Sequence, residues 1–108
     1  MWKSDITGAN FSNSVMREAD LRRTTAVNVN FQNARLYGAN LSRGNMTNSN
    51  LNGADLQFAD LFLTNFTEAK MIEAKMNNSD AKWVNFLGSN LTGANLSNAD
   101  LSWARRCV

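Results

Sequence analysis

Every fifth residue of this chain is apolar, and the register holds for a hundred residues. Starting at Ile6 the series runs Phe11, Met16, Leu21, Ala26, Phe31, Leu36, Leu41, Met46 and Leu51. It continues through Leu56, Leu61, Phe66, Met71, Met76, Ala81, Phe86, Leu91 and Leu96 to Leu101, with Met1 extending it backward. With this apolar centre as position i, the residue at i−2 is small in nearly every repeat, as at Ala9, Ala19, Ala39, Ala54 and Ala94; Val29 and Val84 are larger. Position i−1 is mostly Asp or Asn, and i+1 and i+2 are mixed and mostly polar. Five fits neither standard period. In an α-helix five residues advance about 500°, so the centres would walk around the axis and make no stripe. In a flat strand the side-chain period is two, so an odd spacing would send alternate centres to opposite faces. All the centres share one core only if the backbone turns once per repeat. A chain that turns steadily in one direction closes into stacked coils, a β-solenoid. The period leaves open the number of turns per coil.

The recurring pattern of Ala, Asp or Asn, Leu and two variable residues is seen in Ala54-Asp55-Leu56-Gln57-Phe58 and Ala94-Asn95-Leu96-Ser97-Asn98. It resembles the pentapeptide-repeat family over residues 4 to 103, nearly the whole chain. The resemblance implies an all-β fold, a right-handed quadrilateral β-helix with four repeats per coil and about five coils, in one domain spanning 1–108 with short terminal tails. At about 4.8 Å per coil the stack is roughly 24 Å long. It also implies that i and i−2 face inward and that residues twenty apart stack. Asp and Asn at i−1 suit turns, because their short side chains bond nearby backbone N–H groups; the six Asp residues there read as structural. The Asn-x-Ser/Thr sequons, such as Asn40-Leu41-Ser42 and Asn90-Leu91-Thr92, read as by-products of the repeat. Ala26 and Ala81 are the thin spots of the core.

Composition narrows the function. There is no His, and the one cysteine is Cys107. The commonest general base and metal ligand is therefore missing, and neither an internal disulfide nor a multi-Cys metal site is available. No Gly-rich phosphate loop or nucleophile–base pair is present. The expectation is a non-enzyme without metal or cofactor. No apolar run approaches the length of a membrane span, and Met1-Trp2-Lys3-Ser4-Asp5 lacks the apolar run of a signal peptide, so a cytoplasmic location is expected. Terminal coils of a solenoid expose core and unpaired backbone. Trp2 is placed to cover the first coil or to stand in solvent, and either end offers a surface for end-to-end pairing of two copies. Arg106 falls on an i slot, where a buried unpaired charge is costly, so the repeats should stop near Leu101–Trp103.

One side stands out. The side carrying Leu21, Leu41, Leu61, Ala81 and Leu101 presents Arg22, Arg23, Arg43, Phe62, Leu63, Lys82, Trp83 and Trp103, with Phe58 just across a corner. Trp and Arg concentrate binding energy at interfaces, and contiguous exposed apolar surface marks contact. These nine residues are the candidate interaction face, and a protein is the expected partner. Two alternatives follow from other features. Some members of the family protect DNA gyrase by mimicking duplex DNA, which needs a strongly negative surface; this chain has a net charge of +2. Direct nucleic-acid binding through Arg22, Arg23, Arg43 and Lys82, with Trp83 and Trp103 stacking on bases, is disfavoured by the column Asp20, Asn40, Asp60, Asp80, Asp100 alongside.

Overall fold

The computed structural model describes residues 1–105. Arg106 and Cys107, on which two of the readings above fall, lie outside the described residues. Parallel bridges join each i−1 residue to the one twenty positions later: Asp5 to Thr25, Thr25 to Asn45, Asn45 to Asn65, Asn65 to Asn85 and Asn85 to Arg105. An offset of twenty is four pentapeptides per coil, the number the period left open. Among the described residues these are isolated bridges, because the backbone turns again before a longer strand can form. The molecule measures 28 × 21 × 21 Å.

Each repeat has five backbone N–H groups to satisfy, and the repeat centred on Met46 shows where they go. Asn45 N–H donates to the Thr24 carbonyl of the preceding coil at 2.9 Å. Met46 and Asn48 N–H donate to the Asn65 and Thr67 carbonyls of the following coil at 2.7 and 2.9 Å. Ser49 N–H closes a turn onto the Met46 carbonyl at 3.1 Å. The fifth, Thr47 N–H at i+1, has no carbonyl in reach of this pattern and donates to Asn45 Oδ1 at 3.1 Å. That last bond is the physical reason for Asp or Asn at i−1, and it recurs from Asp5 to Asp100. Where Lys70 takes the slot, Asn52 of the preceding coil substitutes, accepting Ile72 N–H at 2.9 Å. The sequons have the same origin: the Thr47, Thr67 and Thr92 hydroxyls donate to the Asn at i−1 of their own repeat.

The turn itself carries a fixed backbone demand. Its third residue, i+2, has positive φ in every repeat from Lys3 to Trp103: 55–62° at the non-glycine residues and 69–77° at the glycines. With negative φ at the residue before it, this is the pattern of a type II turn.

From Leu21 to Ser89 the i and i−2 residues are buried. Phe11 stacks on Phe31 and Phe66 on Phe86, with ring centroids 5.7 and 5.8 Å apart. Ala26 and Ala81 are fully excluded from water. Buried hydroxyls at i−2 are all paired: Ser49, Ser79 and Ser89 donate to the carbonyl three residues earlier, and Thr64 to the Leu41 carbonyl. No buried side-chain polar atom among the described residues lacks a partner. In the outer coils Ile6, Phe11 and Met16 at one end, and Leu91, Leu96 and Leu101 at the other, are only partly buried. Trp2 does not close the first coil; it is half-exposed at an i+1 position, with the Lys3 ammonium 4.9 Å from its ring centroid. The repeats also run slightly further than the expected stop at Leu101–Trp103. Ala104 N–H closes the turn on Leu101 and Arg105 bridges to Asn85. Arg105 falls at an outward i−1 slot and is exposed, so its charge is no obstacle.

Candidate interaction face

The side bearing Leu21, Leu41, Leu61 and Ala81 ends in a corner column of i+2 residues: Lys3, Arg23, Arg43, Leu63, Trp83 and Trp103. All six have φ between 55 and 62°. None is Gly or Asn, the residues that adopt this conformation at least cost. The other three corners use those two residues at most positions, as at Gly8, Asn28, Asn48 and Gly88, at Asn13, Asn33, Gly53 and Gly93, and at Gly38, Asn78 and Asn98. An L side chain in the left-handed region costs about 1–2 kcal/mol, and strain of this kind collects at functional sites. The backbone makes the same demand at all four corners, and this column alone meets it with no Gly or Asn.

The structure brings most of the candidate residues together. Trp83 and Trp103 stack on consecutive coils, centroids 5.4 Å apart and planes within 14°. They are 50% and 73% exposed, and Leu63 below them is 41% exposed. The Arg43 guanidinium sits 5.5 Å from the Phe62 ring centroid. Arg22 is committed elsewhere: its Nε and Nη2 donate to Asp20 Oδ1 and Oδ2 at 2.8 and 2.7 Å. That fork holds the Asp20 carboxyl down at about 2 and raises Arg22 in turn. Lys82 Nζ lies 3.6 Å from Asp80. Among the described residues Lys3, Arg23 and Arg43 are in no ion pair. Phe58 finds its ring partner on the neighbouring side: Tyr37, 5.4 Å away, with the Arg17 guanidinium 5.0 Å over the Tyr37 ring. Tyr37 escaped the sequence reading because it is an i+1 residue on another side, although residues 17, 37 and 57 share a column at the twenty-residue offset.

The acidic column has a structural task. Oδ1 of Asp20, Asn40, Asp60, Asp80 and Asp100 each accepts the N–H two residues on, at 3.0–3.2 Å. Hydrogen bonds from the Ser102 hydroxyl and N–H hold the Asp100 carboxyl below the usual carboxylate range. One oxygen of each of these side chains is thus engaged in holding its own turn. Among the described residues no three metal-binding side chains are grouped, and no helix is long and apolar enough to cross a membrane.

The pattern of the pentapeptide repeats family matches the chain in four overlapping stretches, residues 4–43, 30–67, 45–80 and 69–105. The chain belongs to that family. No curated protein matches this pentapeptide repeat protein in sequence. Among solved structures, it is similar to HetL, a pentapeptide repeat protein involved in heterocyst differentiation regulation in the cyanobacterium Nostoc sp. strain PCC 7120. The TM-score is 0.91 at 26% identity, over 94% of this chain and 48% of HetL; the chain spans about half of HetL's length. Rfr23 from the cyanobacterium Cyanothece 51142 shares the fold, with a TM-score of 0.89 at 20% identity, over 96% of this chain and 84% of that one. A pentapeptide repeat protein from the Arabidopsis thaliana thylakoid lumen matches at 0.54 and 26% identity, over 82% and 69% of the two chains. The β-solenoid is therefore common ground between this pentapeptide repeat protein and its neighbours.

Proposed function

We propose that this protein is a non-catalytic interaction module that offers the Leu63–Trp83–Trp103 corner, with Arg23, Arg43 and Phe62 beside it, to a protein partner. The observation that carries the reading is the exposed Trp83–Trp103 stack in a column that keeps large side chains at positive φ. The other corners place Gly or Asn at most of the equivalent positions, and this column places neither. The right hand, square section and five coils implied by the family resemblance belong to the same reading; the equal 21 Å cross-axes support the square section. An enzymatic role has less support, because each Asp at i−1 has a backbone N–H or a cation to hold. Mimicry of duplex DNA has less support as well, given a net charge of +2. The test is affinity capture from the native host with the wild-type chain and with Trp83→Ala plus Phe62→Ala. A partner lost by the double variant supports the reading, and retention of every partner overturns it.

A further inference from the structure

We propose that the corner column seats an amphipathic α-helix of about four turns from a protein partner. Carboxylates lie over the half facing Lys3, Arg23 and Arg43, and apolar side chains over the half facing Leu63, Trp83 and Trp103. This rests on the docking reading above and names the chemistry of the docked element.

Spacing argues for a helix. Consecutive members of the column sit on consecutive coils, about 4.8 Å apart. A helix repeats one face about every 5.4 Å. Laid along the column it slips by about 0.6 Å per coil and about 3 Å from Lys3 to Trp103, within the reach of Arg and Trp side chains. An extended strand repeats one face about every 6.7 Å and slips by about 10 Å over the same distance. The column is about 24 Å long, which about sixteen helical residues span. One helical stripe at i, i+4, i+7 and i+11 then meets successive coils.

Charge complementarity sets the composition. Lys3, Arg23 and Arg43, none of them in an ion pair among the described residues, fill one half of the column, and Leu63, Trp83 and Trp103 fill the other. Arg22 and Lys82 are drawn off by Asp20 and Asp80. Asp60 and Asp100, in no ion pair among the described residues, lie alongside and repel a uniform polyanion such as nucleic acid. A helix avoids that repulsion by confining its carboxylates to half of one stripe and turning a neutral flank toward the acids. Buried against Trp83 and Trp103, its apolar half gains the contact area that places aromatic residues at the centre of interfaces.

The test is selection of a displayed library of eighteen-residue helical peptides against the full chain at physiological salt. The expected winners carry Asp or Glu at helical spacing in one half and Leu, Phe or Trp at the same spacing in the other. A winner made as free peptide is expected to gain helical circular dichroism on binding. It should lose at least tenfold in affinity for Arg23→Glu/Arg43→Glu and for Trp83→Asn/Trp103→Asn, both variants still melting in one cooperative transition. Winners without helical spacing that still depend on Trp83 and Trp103 overturn the helix and leave the docking column standing. Winners indifferent to both double variants overturn the column as well. Displacement of a winner by a single-stranded oligonucleotide at the same salt, if lost in Arg23→Glu/Arg43→Glu, overturns the helix in favour of nucleic acid.

Discussion

Arg23→Asn should stabilise this protein. Arg23 sits at φ 56°, it is exposed, and among the described residues it is in no ion pair. Its backbone N–H donates to the Ser42 carbonyl at 3.0 Å, a bond the substitution keeps. The change therefore acts on conformational cost alone. An ordinary L residue in the left-handed region costs about 1–2 kcal/mol, and Asn recovers a large part of that, so about 1 kcal/mol is expected. For a chain of about a hundred residues this raises the melting temperature by about 4 °C. In urea the midpoint should rise with the slope unchanged, since the surface exposed on unfolding is nearly the same. The mirror substitution, Asn13→Arg at a corner where Asn already has φ 59°, should lower stability by a similar amount. If Arg23→Asn leaves the midpoint unchanged or lowers it, the corner column is not strained, and the argument that its side chains are held there against backbone preference fails.

Phe66→Ala removes a fully buried ring stacked on Phe86 and should cost about 3–5 kcal/mol, read from the urea midpoint. Asn50→Ala removes the acceptor for Asn52 N–H and should cost about 1 kcal/mol, read the same way. The pH dependence follows from Asp20, whose carboxyl is depressed to about 2 by its bonds to Arg22. A carboxyl lower in the folded than in the unfolded state stabilises the fold above its unfolded value, near 4, and loses that contribution as pH falls through about 2. Carbon-detected NMR titration should show Asp20 titrating at about 2 in the wild type, and Arg22→Gln should move it up toward the ordinary 3.8. An unmoved midpoint would mean that the fork is not what holds it down.

Much of the architecture was legible because the repeat imposes one constraint many times over. The unbroken series from Ile6 to Leu101 requires a turn in every quintet, and the bridges from Asp5 to Arg105 show those turns closing four to a coil. The preference for Asp and Asn at i−1 suggested backbone capping, and the structure identifies the bond as the home of the one N–H the coils leave over. The pairing of Arg22 with Asp20 and Lys82 with Asp80 was also within reach, since residues two apart on an extended segment share a face. The strain at the corner was not legible. Position i+2 holds Gly, Asn, Glu, Arg and Trp in turn, and only the backbone geometry shows that all of them take the same positive φ. The Tyr37–Phe58 pair was hidden for another reason: it joins an i+1 residue to an i+2 residue of the next coil, a spacing of twenty-one that no single column displays.

The docking claim is tested most directly by placing a photoreactive phenylalanine analogue at one exposed position at a time in the native host. Position 63 lies in the corner column and position 72 on the opposite side, and the native Leu63 and Ile72 are both exposed. Illumination is expected to join a defined protein to the chain from position 63 and not from position 72. The same partner captured from position 72 and missed from position 63 would contradict it.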